Sequence, residues 1–197
     1  MAGESIIGRR IAVVGSSGSG KSTVASLLAE RLALPFVELD ALYWKPGWVE
    51  SEHEEFVGRV QSETAGEGWV VAGNYSRAWP VYWPRAETVV WLDLPLRVCL
   101  GRLVRRSWRR SRERELLWGT NTERFWKHLK LWNANDSLLT WTVLARGPLE
   151  RRVMREAGPD GMATGRVVRL RSAADVEEFV QLVAPEVATD AALAGVR

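Results

Sequence analysis

Residues 15–22 read Gly-Ser-Ser-Gly-Ser-Gly-Lys-Ser, and this stretch decides the fold. Its spacing, G-x-x-x-x-G-K-[ST], is that of the phosphate-binding P-loop. The glycines let the backbone curl so that successive N–H groups point at a polyphosphate, while the lysine reaches the β- and γ-phosphates. The serine hydroxyl that follows suits Mg²⁺. The predicted nucleotide-binding residues are Gly15, Ser16, Ser17, Gly18, Ser19, Gly20, Lys21, Ser22 and Thr23.

The sequence on either side of the loop supports this interpretation. The apolar run 11–14 (Ile-Ala-Val-Val) is typical of a buried strand, and apolar residues at helical spacing follow the loop through Leu32. The loop therefore opens onto a helix N-terminus, where the helix dipole favours anions. A Gly/Ser-rich turn that matches by chance is the alternative, and a strand before and a helix after argue against it.

Composition restricts the class of protein. The chain has 197 residues, 46% hydrophobic and 26% charged, which is ordinary for one soluble globular domain. No apolar run approaches the ~20 residues of a membrane span, and the first ten residues lack the apolar core of a signal peptide. Cys99 is the only cysteine, so we expect no intrachain disulfide and a cytoplasmic location.

Predicted strands at about residues 10–15, 36–39, 69–72, 88–92 and 166–170 alternate with helical patterns. This alternation predicts an α/β fold, a mostly parallel sheet with helices on both faces. We expect a single domain over residues 1–185 and a flexible tail over 186–197. In such sheets ligands bind beyond the carboxyl ends of the strands, so the P-loop, Asp40, the 73–77 turn and Asp93 should surround one crevice.

Two aspartates follow predicted strands. Asp40 can accept the proton of a substrate hydroxyl or bind a water on Mg²⁺, so we predict it as catalytic base and, with Ser22, as magnesium support. A helix cap or turn is the alternative for Asp40. Because Pro95 follows closely, Asp93 is interpreted mainly as the N-cap of the next helix, with a magnesium role as the alternative.

Phosphoryl transfer consists mostly of positioning and charge neutralisation, so it needs cations over the transferred group. An arginine-rich segment at residues 102–114 could close as a lid, which we place at about residues 105–135. Arg102, Arg106 and Arg109 are the first choices because they flank the buried stripe of their helix. A solvated helix face or a nucleic-acid surface is the alternative, and the net charge of only +3 argues against nucleic acid.

The acceptor side is predicted from polar and aromatic residues near strand ends. Asn74, Tyr75 and Arg77 end one strand, and Tyr43 lies in an aromatic loop. Four tryptophans in loops could stack on a ring-bearing acceptor or pack under the lid. These four are Trp44, Trp48, Trp79 and Trp83, whereas Trp69 and Trp91 are predicted core. His53 and His128 have no metal-ligand spacing around them.

With these motifs the chain resembles the small P-loop kinases of the nucleoside-monophosphate-kinase type, and more closely the bacterial adenylate-kinase-like or "topology modulation" proteins. The segments that carry the resemblance are 15–22, 39–48, 73–77, 89–95, 115–125 and 167–172. The resemblance implies a five-stranded parallel sheet of order 2-3-1-4-5, a lid after the fourth helix, and a nucleotide base near Arg171. Residues 118–123 also match a recurrent W-x-G-N-x-E-like element, with its order disturbed by Thr120.

Two departures from adenylate kinases concern the acceptor. Those enzymes carry an arginine that grips the acceptor phosphate three residues after the strand-2 aspartate; here the position is Tyr43. They also carry an aspartate that assists magnesium before the glycine ending strand 3; here it is Ala72. The chain therefore resembles the shikimate, gluconate and chloramphenicol kinases, whose aspartate serves a hydroxyl acceptor.

The leading hypothesis is an enzyme that moves the γ-phosphate of ATP or GTP, with Mg²⁺, to a hydroxyl of a small ring-bearing molecule such as a nucleoside-type compound or an antibiotic. A nucleoside-monophosphate kinase is the alternative, and a nucleic-acid-associated ATPase is the second alternative. A non-enzymatic nucleotide-binding switch is a further possibility. We expect no membrane association, and a monomer or a homodimer.

Overall fold

The computed structural model describes residues 7–113, 116–122, 138–158, 161–162 and 164–183. Five parallel strands form its main sheet. These strands are β1 (Arg10–Gly15), β2 (Phe36–Glu38), β5 (Trp69–Ala72), β6 (Thr88–Leu92) and β9 (Arg166–Leu170). Two small antiparallel hairpins stand apart from it, β3 (Trp44–Lys45) with β4 (Val49–Glu50) and β7 (Leu116–Leu117) with β8 (Asn121–Thr122).

The helices fill the connections between these strands. In chain order they are α1 (Lys21–Arg31), α2 (Leu39–Tyr43), α3 (His53–Glu63), α4 (Trp79–Tyr82), a 3₁₀ turn (Trp83–Arg85), α5 (Leu96–Glu113), α6 (Leu138–Glu156) and α7 (Ala173–Leu182). The last helix begins at a capping box in which Ser172 and Asp175 satisfy each other's backbone N–H groups. None of the described helices is long and apolar enough to cross a membrane.

The sheet order is β2-β5-β1-β6-β9. We predicted the order 2-3-1-4-5 by numbering the five main strands alone. The two hairpins were not predicted, and their four strands are included in the numbering β1 to β9. The α/β class with a parallel sheet is confirmed. Two parts of the predicted lid, residues 114–115 and 123–135, lie outside the described residues, and so does His128. The predicted tail at 186–197 lies outside them as well.

Alternate residues of the buried central strands build two cores. Ile11 and Val13 of β1 pack with α1 and α7 on one face, while Ala12 and Val14 pack with α3 and α4 on the other. This division follows from the two-residue period of a strand. Because β1, β5 and β6 are covered on both faces, they read as nearly continuous apolar runs.

The second core also contains aromatic residues that were predicted at the ligand. Trp79 and Trp83 are fully buried, and their rings stack with centroids 4.0 Å apart. Of the two roles predicted for these tryptophans, stacking on an acceptor or packing under the lid, the first is therefore wrong. Trp69 and Trp91 are core residues, as predicted.

Candidate active site

The P-loop joins the carboxyl end of β1 to the first residue of α1. Gly18 and Gly20 have φ of 78° and 98°, which favours glycine over any side chain. A Cβ atom at Gly18 would also overlap the carbonyl oxygen of Cys99, so α5 lies directly against the loop. The first turn of α1 carries no acidic residue, and its N-cap glycine offers no side-chain oxygen to the amide groups. This helix end therefore suits an anion.

Lys21 lies within the curve of the loop. Its Nζ atom donates a hydrogen bond to the carbonyl oxygen of Ser16 at 3.2 Å. Burial lowers the pKa of Lys21; the charge of Asp40 raises it and the charge of Arg106 lowers it. Phosphate oxygens would compensate for the burial of this cation, which is the behaviour expected of a P-loop lysine.

Glu38 is a site residue that the sequence reasoning missed. It ends β2, and its Oε1 atom accepts a hydrogen bond from Ser22 Oγ at 3.0 Å. Burial, and after it the charge of the neighbouring Asp40 carboxylate, raise the pKa of Glu38 from 4.5 to about 7. Its position two residues before Asp40, at the carboxyl end of a strand, was the signal available in the sequence.

Asp40 lies in the first turn of α2, just beyond β2. Its Oδ1 atom accepts a hydrogen bond of 2.7 Å from the hydroxyl of Tyr75. The Tyr75 ring packs against Tyr43 and Phe56, with centroids 4.6 and 5.2 Å away. Burial and the Asp40 charge raise the pKa of Tyr75, so its hydroxyl stays protonated and donates to the carboxylate. Tyr75 thus contacts the predicted base.

Asn74 joins the acceptor side to the donor loop. The backbone N–H of Gly15 donates to Asn74 Oδ1 at 3.2 Å, and Asn74 Nδ2 donates to the Gly15 carbonyl at 2.6 Å. Both ends of the amide therefore support the P-loop, whereas the sequence predicted that Asn74 would bind acceptor. Arg77 is exposed. Burial and Glu50 raise the pKa of Tyr43, and the charge of Arg77 partly offsets this rise, so Arg77 lies near the aromatic loop.

The structure separates the three predicted lid arginines. Arg102 Nη1 donates to the Ser19 carbonyl of the P-loop at 3.2 Å. The charge of Arg106 acts on both Lys21 and Glu38. Arg109 is further out on α5, where it is well exposed and lies 3.8 Å from Glu113, one helical turn along. Arg102 and Arg106 are therefore next to the P-loop and its carboxylates, and Arg109 contacts its own helix.

Asp93 is a structural residue. Its Oδ1 atom pairs with Arg146 at 2.9 Å and its Oδ2 atom with Arg169 at 2.6 Å. Arg169 also lies 4.1 Å from the Trp91 ring centroid. Both carboxylate oxygens therefore join β6 to β9 and α6. The main interpretation of Asp93 as a helix cap is therefore wrong, because both of its oxygens are bonded to arginine side chains.

Tyr43 and Trp44 begin a series of aromatic rings beside Asp40. The hydroxyl of Tyr43 donates to Glu50 Oε2 at 2.6 Å across the β3–β4 hairpin. The ring of Trp44 contacts Trp48, which contacts Trp118 in the turn of the β7–β8 hairpin. The aromatic loop predicted to face an acceptor therefore reaches from Asp40 to the second hairpin.

Arg171 is exposed at the start of α7, where its backbone N–H donates to Asp175 Oδ2 at 2.8 Å. No contact in the described part of the chain assigns a ligand to its side chain, so a role near the nucleotide base stays a prediction.

The oxygens around the loop fit a magnesium ion bound with a nucleotide. Mg²⁺ is usually held by one or two carboxylates, water and substrate phosphates, and Ser22, Glu38 and Asp40 offer a hydroxyl and two carboxylates. Within the described ranges, no group of three or more His, Cys, Asp or Glu side chains could hold a metal by themselves.

Comparison with known proteins identifies the fold. A family profile described as AAA domain matches residues 11–127, more than half of the chain. A shikimate kinase from Bacteroides thetaiotaomicron is 19% identical, with a TM-score of 0.51 over 87% of this chain and 94% of that one. A shikimate kinase from Acinetobacter baumannii in complex with shikimate is also 19% identical, with a TM-score of 0.50 over 91% and 94%. No curated protein matches this chain. The chain belongs to the AAA domain family and has the fold of the small P-loop kinases.

Proposed function

We propose that this protein is a kinase that transfers the γ-phosphate of ATP or GTP to a hydroxyl of a small ring-bearing molecule. The observation that carries the proposal is the placement of Asp40 beside the P-loop, since its charge acts on Lys21 at the loop. A nucleoside triphosphate on the loop would then share a crevice with a carboxylate able to accept a proton. The solved shikimate kinases of the same fold are small-molecule kinases by name, which agrees with this assignment.

The proposed reaction is a direct transfer. The hydroxyl oxygen of the acceptor attacks the γ-phosphorus, its proton goes to Asp40, and the bond from that phosphorus to the β–γ bridging oxygen breaks to release the diphosphate. Lys21 and Arg102 neutralise charge on the phosphates. Ser22, Glu38 and Asp40 would hold Mg²⁺, which would supply further charge neutralisation.

A hydroxyl acceptor is favoured over a phosphate acceptor by the charges around Asp40. Glu38 and Glu50 are both bonded to hydroxyl groups, and in the described part of the chain neither forms an ion pair with Lys or Arg. Tyr43 stands where a phosphate-gripping arginine would be needed. With a phenol instead of an arginine at that position, and with Glu38 adding to the carboxylate charge near Asp40, no observation favours the nucleoside-monophosphate kinase.

The test is phosphoryl transfer by the Asp40→Asn variant. We expect transfer to fall by at least about 1,000-fold, because the acceptor hydroxyl loses its base, while triphosphate affinity stays within a few-fold. Glu54→Gln, which changes an exposed carboxylate on α3, is the matched control. The acceptor panel should contain nucleosides, sugars, ring-bearing antibiotics and nucleoside monophosphates, each with ATP and with GTP. Full transfer by Asp40→Asn would contradict the role of the base.

A further inference from the structure

Five aromatic side chains form a continuous row that starts at the predicted base. Consecutive ring centroids are 4.6, 5.1, 5.5 and 5.9 Å apart. The first ring belongs to the tyrosine that bonds Asp40. In order, the members of this aromatic row are Tyr75, Tyr43, Trp44, Trp48 and Trp118. The row therefore leads from the base to the turn of the β7–β8 hairpin.

The two outer members of the row are strained and exposed. Trp48 and Trp118 have φ of 63° and 49°, a left-handed backbone that bulky residues rarely adopt. Their side chains are nevertheless 39% and 38% exposed, so neither ring is held in place by burial in a core. Backbone strain of this kind persists where the surroundings impose it, and it is concentrated at ligand sites.

Hydrogen bonds hold the two hairpins together beneath these rings. The backbone N–H of Trp48 donates to Asn121 Oδ1 at 2.9 Å, and Asn121 Nδ2 donates to the Lys45 carbonyl at 3.1 Å. The indole N–H of Trp48 donates to the Thr122 carbonyl at 2.9 Å. Because the polar atom of the indole already has a partner within the protein, the Trp48 ring can offer a ligand only apolar contact.

We propose that Trp48 and Trp118 bind a distal ring of the acceptor, which is therefore an elongated molecule of at least two rings with its reacting hydroxyl at Asp40. This inference rests on the proposed function and specifies its substrate class. A single six-membered ring is about as wide as one step of the aromatic row. Three such steps separate the ring of Tyr75 from the ring of Trp48, so the proposal assigns a second ring of the acceptor to the two outer tryptophans.

A packing role for the two tryptophans, in which they only join the hairpins, makes different predictions. Trp48→Gly and Trp118→Gly remove the rings but place glycine where its positive φ is unstrained. The backbone bonds between the hairpins stay available in Trp48→Gly, since the donor to Asn121 is the main-chain N–H. We therefore expect both variants to stay folded, with a Tm within a few degrees of the native protein.

The experiment uses matched pairs of methyl and 2-naphthyl glycosides built on several sugars. Binding is measured by NMR titration in the presence of Mg²⁺ and a non-hydrolysable ATP analogue, and phosphoryl transfer is measured separately with ATP. In the native protein we expect each naphthyl glycoside to bind about 10-fold or more tightly than its methyl partner, because stacking on an aromatic side chain contributes that much. Trp48→Gly and Trp118→Gly should abolish this preference, while both variants still bind the methyl glycosides.

The control is Trp141→Ala, which removes an exposed tryptophan on α6 that belongs to no ring pair among the described residues. It should keep the naphthyl preference. Equal binding of the two glycosides by the native protein would overturn the inference, and this result does not depend on whether a variant folds. A preference for the naphthyl glycoside that survives in both glycine variants would also overturn it. Absence of transfer to every acceptor would instead contradict the proposed function, because the binding preference does not depend on turnover.

Discussion

Replacing Glu38 with glutamine should stabilise the ligand-free protein. The Glu38 carboxyl group is half-buried beside Asp40, and burial first and that charge second raise its pKa from 4.5 to about 7. Glutamine keeps an oxygen that can accept the hydrogen bond from Ser22 and carries no charge. One pKa unit corresponds to about 1.4 kcal/mol, so the ionised carboxylate costs the fold up to about 3 kcal/mol.

The sign of the effect determines its pH dependence. Because the pKa is higher in the folded state than in the unfolded state, folding favours the protonated carboxyl group. The destabilisation by the ionised Glu38 carboxylate is complete above pH 7 and decreases as the pH falls. It is nearly gone below about pH 4.5, where the carboxyl group is protonated in both the folded and the unfolded state. We therefore expect Glu38→Gln to raise the free energy of unfolding by up to about 3 kcal/mol at pH 8 and by a few tenths of a kcal/mol at pH 4.5.

The assay is equilibrium urea unfolding of both proteins at the two pH values, in EDTA and without nucleotide, with linear extrapolation to water. Glu54→Gln is the control, since it neutralises an exposed carboxylate and should change stability little at either pH. A lower stability of Glu38→Gln at pH 8, or the same difference at both pH values, would refute the reasoning. The stabilised variant should also lose activity with Mg²⁺ and ATP, because an active site keeps charges that weaken the fold.

Two further predictions concern side chains that hold the site. Tyr75→Phe should lower kcat by about 10- to 100-fold in steady-state kinetics, because the Asp40 carboxylate loses a hydrogen-bond donor. Tyr43→Phe, which removes the hydroxyl bonded to Glu50, should not lower kcat in this way. Equal losses in the two variants would show that neither phenol acts through the base. Arg102→Gln should lower kcat/KM for ATP by about 100-fold, because the guanidinium lies on the P-loop. Arg109→Gln should change kcat/KM by less than about 3-fold. A larger loss in Arg109→Gln than in Arg102→Gln would show that Arg109, further out on α5, is the arginine that contacts the phosphates.

Local sequence patterns were sufficient for the donor half of the site. The glycine spacing of residues 15–22 requires the loop conformation that the structure contains, and the apolar runs on either side correspond to β1 and α1. Asp40 was found because carboxyl ends of parallel strands meet at one edge. Glu38 was missed because the sequence around a glutamate at the end of a short edge strand does not show that it is buried. Its environment depends on Ser22 of the P-loop and on Asp40, which the fold brings close to it.

Contacts between distant residues account for the remaining differences. Asp93 has the local setting of a helix cap, but its partners Arg146 and Arg169 come from α6 and β9, 53 and 76 residues further along the chain. Trp79 and Trp83 lie in a segment broken by prolines that reads as a loop. Short helical turns place both indoles in the core instead, stacked on each other.

We propose above all that a phosphoryl group moves from a triphosphate on the P-loop to a hydroxyl group at Asp40. The most direct measurement is ³¹P NMR of the native protein with Mg²⁺, ATP or GTP, and the ring-bearing hydroxyl panel, in parallel with Asp40→Asn. In the native sample we expect a new phosphomonoester resonance that is coupled to the carbon-bound protons of the acceptor and grows together with the diphosphate signals. This resonance should be missing from the sample with Asp40→Asn. Formation of inorganic phosphate alone across the panel, or a new diphosphate made from a monophosphate, would contradict it.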